Sequence, residues 1–220
     1  MPNTSISYRH LVNRLPMLQR RTKTLLIGID GCGASGKSTF SKTLRALAPK
    51  ISVIQMDDFF LPSNQRLARE IAAQQIGADF DWPRVRSEVL EPLRSDKPGR
   101  FQRYDWDNDQ LAEWHEIPIG GIVIVEGIYS TRRELSEFYD LKIWVECPRD
   151  LRLARGIQRD GEDARPVWEQ DWMPAEDLYL KTHKPFDYAD LIIDGSRSPD
   201  SVDAGFICLR AKEGFGDIFA

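Results

Sequence analysis

Residues 31–38 read Gly-Cys-Gly-Ala-Ser-Gly-Lys-Ser and fit the pattern G-x-x-x-x-G-K-[ST]. The chemistry of such a loop is the gripping of nucleotide phosphates. Gly31, Gly33 and Gly36 let the backbone aim its N–H groups inward with no Cβ in the way. Ala34 and Ser35 carry the chain between them, and Thr39 follows on the next element. A helix starting here turns its positive end toward the same anion. In such loops the lysine, here Lys37, reaches the β- and γ-phosphates, and the next hydroxyl, here Ser38, ligates Mg²⁺. A plain glycine-rich turn needs no particular flanks. These flanks are the required ones: residues 24–30 are an apolar run of strand type, and Phe40, Leu44 and Leu47 recur at helical spacing.

The elements that must position this loop follow from the same periodicities. Apolar runs at 24–30, 51–56, 120–125, 141–146 and 190–194 predict five strands. Helical patterns at 38–47, 64–76, 83–94, 149–160 and 166–181 fall between them. Strands alternating with helices predict an α/β protein with a mostly parallel five-stranded sheet wrapped on both faces. Residues 5–19 read as a further helix, with Pro16 at its end, inside an N-terminal extension of residues 1–22. Residues 95–118, with Pro98-Gly99 and several aromatics, read as a hairpin or lid beside the sheet. The stretch after Ser196 carries no readable pattern. One domain over residues 1–220 is expected.

In open parallel sheets, ligands gather at the carboxyl ends of the strands. The first strand ends in the glycine loop, the second in Asp57-Asp58, and the third in Glu126. A carboxylate directly after a buried strand is placed to help hold Mg²⁺ beside the loop. Asp57 and Asp58 are candidate general bases for accepting the proton of an incoming alcohol, and one of the two can equally serve as a helix cap. Arg152, Arg155 and Arg159 are spaced i, i+3, i+7 and share one helical face, with Gly161 ending the helix. A lid region at 150–181 bearing these arginines would cover phosphates and spread transition-state charge. The plainer reading is an amphipathic surface helix. Trp82, Trp106 and Trp114 lie between the second and third strands, where an acceptor would bind; for each alone, packing is the simpler role.

Composition removes other classes. The chain is 41% hydrophobic and 29% charged with net charge −4, which fits a soluble globular protein and argues against non-specific nucleic-acid binding. Three widely spaced cysteines suggest a reducing, cytoplasmic setting with no disulfide framework or zinc site. No run approaches the ~20 apolar residues a membrane span needs. The three histidines show no ligand spacing. The guanine-reading sequence Asn-Lys-x-Asp of GTPases is missing.

Six stretches together resemble the uridine kinase and nicotinamide riboside kinase group, relatives of phosphoribulokinase and bacterial pantothenate kinase. They are residues 28–39, Met-Asp-Asp-Phe-Phe (56–60), Phe-Asp-Trp-Pro (80–83), Tyr-Asp-Trp (104–106), Ile-Val-Glu-Gly-Ile (124–128) and Tyr-Ala-Asp-Leu-Ile-Ile (188–193). The resemblance implies a three-layer P-loop kinase fold and ATP-dependent, Mg²⁺-assisted phosphorylation of a small-molecule hydroxyl. It places the base on Asp57, ribose binding on Asp81, the nucleoside pocket on Tyr104 and Trp106, and lid contacts on Arg155 and Arg159. The partner it implies is a small-molecule acceptor, first of all a nucleoside such as uridine, and a homo-oligomer is compatible with it. Two positions depart from uridine kinases. Asp107-Asn108-Asp109 stands where they carry a histidine, and Trp82 stands where histidine is common. Both bear on the base recognised and leave the phosphoryl chemistry alone. Nicotinamide riboside, pantothenate or a sugar phosphate are alternative acceptors, and a non-kinase nucleotide switch or ATPase is the alternative from another class.

Overall fold

In the computed structural model, which describes residues 4–70, 76–197 and 205–215, the predicted apolar runs become the middle of a larger sheet. The strands are β1 (Thr4–Ser7), β2 (Thr24–Asp30), β3 (Ile51–Gln55), β4 (Gly99–Asp105), β5 (Gln110–Ile117), β6 (Gly121–Glu126), β7 (Leu141–Glu146), β8 (Leu191–Asp194) and β9 (Gly205–Ala211). The main sheet runs β1-β9-β8-β7-β2-β6-β3. Its five predicted strands pair in parallel, and β9 and β1 extend one edge antiparallel. Among the described residues the sheet thus has seven strands rather than five. Every residue of β2 is buried, as a central strand covered on both faces requires.

The main helices are α1 (Tyr8–Arg14), α2 (Lys37–Leu47), α3 (Ser63–Glu70), α4 (82–94), α5 (Arg149–Asp160) and α6 (165–183). Two apolar layers cover the sheet. One joins α1 and α2 to Leu25, Ile27, Ile29 and Ile143. The other joins α4 to Leu26, Val123, Val125 and Trp144. Two helices widen where a proline interrupts them. Pro92 has no N–H for the Glu88 carbonyl and Pro174 has none for Gln170, so the helix loosens into π turns over Val85–Leu90 and Trp168–Trp172. The donors just before each proline, on Glu91 and Met173, reach back five residues to Arg86 and Trp168.

Two expectations are corrected. Residues 5–7 are strand, because Ile6 faces the core opposite Phe206 and the backbone pairs with β9. The helix starts only after Ser7, whose Oγ accepts from the His10 N–H at 3.1 Å, and it tightens to a 3₁₀ turn at Pro16. Beyond Ser196, β9 hides an alternation of buried Phe206 and Cys208. The 95–118 stretch forms the expected hairpin, β4 with β5. The expected 64–76 helix is seen as α3, and residues 71–75 lie outside the described ones.

Candidate active site

Register brings the chemistry to one edge. Glu126 lies opposite Ile29 on one side and Gln55 on the other, so β2, β6 and β3 end level. The glycine loop, the Asp57 turn and Glu126 therefore emerge together. Gly127 makes this exit feasible. It has φ +142°, and a Cβ there would meet the Met56 side chain at 2.5 Å.

The loop wraps the N-terminus of α2. Gly36 takes φ +100°, and the first-turn N–H groups of Lys37, Ser38 and Thr39 have no acceptor within their own helix. Lys37 Nζ folds back onto the Cys32 carbonyl at 3.3 Å. Ser38 Oγ donates to the Glu126 carboxylate at 3.2 Å. Glu126 is 3% exposed. Burial raises its pKa, and the Lys37 charge and the Ser38 hydrogen bond partly oppose this. Free amides, one cation, one hydroxyl and one carboxylate are the donor set of a Mg²⁺–triphosphate site, since Mg²⁺ takes only one or two protein ligands beside phosphate oxygens. The residues present fit both groups.

Two cavities meet at this loop. The first, about 540 Å³, is lined by Tyr8, Arg155, Gly195 and Phe206 besides the loop. The second, about 580 Å³, is lined by Phe60, Phe80, Trp106, Tyr129, Trp168 and Trp172. Ala34, Lys37, Ser38, Asp57 and Arg159 line both. Asp57 is exposed at their junction. Asp58 turns away: its carboxylate accepts from the Gln55 N–H at 3.3 Å and closes a capping box, and burial raises its pKa. The two aspartates thus split into a cavity-facing carboxylate and a cap.

The three arginines of α5 have three fates. Arg152 is buried and paired to Glu176. Arg155 donates to the Gly195 and Ser196 carbonyls at 2.7 and 2.6 Å, so it belongs to the first cavity alone. Arg159 pairs with Asp160 and lies 5.8 Å from the centre of the Trp168 ring, at the shared mouth. Gly161 ends the helix as expected, at φ +91°.

The acceptor-side expectations divide. Trp106 lines the second cavity and stacks on Phe60 at 4.6 Å. Tyr104 stands behind it, edge-on to Trp106, with its hydroxyl donated to Asp109 at 2.6 Å. Tyr104 is not among the lining residues. Neither is Asp81: the bridge between Phe60 and Phe80 holds this segment, and Asp79 lines the cavity instead. Trp82 packs against the core under Arg132, while the exposed Trp114 lies under Arg100 on the hairpin. Sequence reasoning missed Trp168 and Trp172. Their four-residue spacing just before Pro174 was the available signal. Cys32 is buried and burial raises its thiol pKa, which makes it a poor nucleophile despite its place in the loop. Among the described residues, no helix is long and apolar enough to cross a membrane.

The sequence model of the phosphoribulokinase / uridine kinase family matches residues 26–200. A uridine kinase of Ureaplasma parvum is 32% identical over 174 residues, covering 73% of this chain and 84% of that protein. A structure described as a possible uridine kinase from Bacillus stearothermophilus superposes with TM-score 0.65 at 20% identity, covering 84% of this chain and 96% of that one. The phosphoribulokinase of Rhodobacter spheroides gives TM-score 0.55 at 19% identity, over 78% and 70%. At these identities the two structures establish the fold, a P-loop kinase sheet flanked by helices.

Proposed function

The chain belongs to the phosphoribulokinase and uridine kinase family, and on that basis we propose that it transfers the γ-phosphoryl group of ATP to a hydroxyl of a nucleoside. The observation that carries this reading is the position of Asp57, on the wall shared by two cavities that both open on Lys37 and Ser38. A donor in one cavity and an acceptor in the other would meet beside that carboxylate.

In this reading the adenine end of ATP occupies the first cavity, between Tyr8, Phe206 and the 194–197 turn that Arg155 secures. The α2 amides and Lys37 hold the triphosphate. Ser38 and Glu126 would hold Mg²⁺, which when bound neutralises phosphate charge. Asp57 accepts the proton of the attacking hydroxyl, and Arg159 stands at the mouth to stabilise charge on the transferring group. Orientation and electrostatics supply most of the rate, because phosphoryl transfer leaves the protein little covalent chemistry to do.

The second cavity's charge argues for the acceptor. Its acids are Asp57, Asp79, Glu126, Asp160 and Glu176, against Lys37 and Arg159. Arg159 is already paired to Asp160. Lys37 is assigned to ATP. Glu176 is likewise paired to Arg152 and Glu126 is assigned to Mg²⁺, which leaves Asp57 and Asp79. An acceptor carrying phosphate or carboxylate would meet these two carboxylates, whereas the planar ring of a nucleoside meets aromatic faces. The test is a panel of uridine, cytidine, nicotinamide riboside, pantothenate and ribulose 5-phosphate, scored by phosphorylated product. We expect a nucleoside to exceed both anionic acceptors at least a hundredfold in kcat/KM. Preference for pantothenate or the sugar phosphate would overturn the acceptor assignment, and ATP hydrolysis indifferent to every acceptor would favour a switch or ATPase.

A further inference from the structure

The first half of the phosphate loop is held by α6, not by its own helix. Glu176 accepts the Gly33 N–H at 2.6 Å through Oε1 and the Arg152 guanidinium at 2.5 Å through Oε2. Both side chains are nearly inaccessible, at 6% and 5% exposure. One helical turn on, Tyr179 donates its hydroxyl to Asp30 Oδ2 at 2.7 Å. The other oxygen of Asp30 accepts the Gly31 N–H at 2.7 Å. Two carboxylates therefore fix the amides of Gly31 and Gly33, and both are tied to one face of α6. The fit is close: a Cβ on Gly33 would lie 2.9 Å from Glu176 Oε1 and 2.9 Å from the Trp168 ring.

Burying an ion pair next to an anion-binding loop is expensive and adds little to stability by itself. A carboxylate there also repels phosphate unless its charge is cancelled. Arg152 cancels it, and the guanidinium is in turn oriented by the Cys147 carbonyl at 3.3 Å. The arrangement makes sense as a device that takes the Gly33 amide out of phosphate binding and sets the loop's curvature; the Ser35 N–H is bonded to the Cys32 carbonyl at 3.1 Å, and the amides from Gly36 to Ser38 at the start of α2 face the ligand.

We propose that Glu176 is a positioning residue for ATP: by accepting the Gly33 N–H it holds the phosphate loop in its binding-competent shape, and Arg152 makes its charge tolerable there. The proposal rests on the loop's being the triphosphate site. It assigns the hydrogen bond, not the charge, as the part that matters. Two charge-neutral pairs separate these: Arg152→Met with Glu176→Gln keeps an oxygen for Gly33, and Arg152→Met with Glu176→Leu removes it. We expect the Leu pair to bind adenylyl imidodiphosphate at least tenfold more weakly than the Gln pair. Amide exchange of a peptide covering residues 29–36 should be at least tenfold faster in the Leu pair without nucleotide, while a β6 peptide is unchanged. A merely structural role would move both peptides together. Equal nucleotide affinity and equal exchange at 29–36 in the two pairs would overturn the proposal. Should the Leu pair fail to fold, Arg152→Met with Glu176→Ala takes its place: nucleotide binding at least tenfold weaker than in the Gln pair supports the hydrogen-bond role, and smaller losses overturn it. If the unmodified chain binds the analogue but phosphorylates nothing, the kinase reading fails while this one still stands.

Discussion

Asp57→Asn should lower turnover at least a hundredfold while leaving affinity for adenylyl imidodiphosphate within about twofold. General-base contributions are typically about 10²–10⁴-fold. Asparagine keeps the shape and a carbonyl oxygen but cannot take the proton. The Asp57 side chain is exposed at the junction of the cavities, and the neighbouring carboxylate, Asp58, is the one that closes the turn. The substitution therefore removes chemistry without removing a cap. Loss in kcat with little change in KM for ATP is the signature of an interaction used in the transition state. Near-normal turnover, measured with the best acceptor of the panel, would take Asp57 out of the mechanism. A matched Asp58→Asn variant should behave differently, with most of its effect on thermal stability, because its carboxylate accepts the Gln55 N–H.

Lys37→Ala should weaken both nucleotide affinity and rate, with kcat down on the order of 10²–10³, the range for losing one electrostatic donor at a transition state. Here Lys37 Nζ is only lightly engaged, at 3.3 Å from the Cys32 carbonyl. Its removal leaves that carbonyl solvated and the fold intact. It also withdraws a charge that opposes the burial-raised pKa of Glu126. With the lysine gone, Glu126 of the metal-free protein holds its proton to higher pH, so binding of Mg²⁺–nucleotide should be lost at a higher pH in the variant than in the unmodified chain. Unchanged affinity and unchanged rate would contradict the placement of the lysine on the phosphates.

Most of the fold was legible because its centre is built from residues that bury on both faces. Five continuous apolar runs, three of them followed by helical patterns, admit few arrangements. What escaped were the edges. Thr4–Ser7 is too short to outweigh the helical spacing of Ile6, Leu11 and Leu15, and only its pairing with Gly205–Ala211 decides it. That pairing is a tertiary fact with no local signal. The phosphate loop and Glu126 were legible because their motif and strand position are local. The arginines were only half legible: periodicity put Arg152, Arg155 and Arg159 on one face, yet each meets a different neighbour. The second cavity was least legible. Asp79 rather than Asp81, and Trp168 and Trp172 beside Trp106, line the cavity through a bridge at Phe80 and a π turn before Pro174. Both depend on backbone geometry that spacing alone does not reveal.

The account stands on a triphosphate seated in the 31–38 loop with its end facing Asp57. A crystal structure of this chain with adenylyl imidodiphosphate and Mg²⁺ measures that directly. We expect the base beside Tyr8 and Phe206, the terminal phosphate on Lys37 and the first-turn amides of α2, the metal between Ser38 and Glu126, and Asp57 open to the aromatic cavity. A base seated among Phe60, Trp106 and Trp168, or a phosphate tail bound away from the loop, would contradict it.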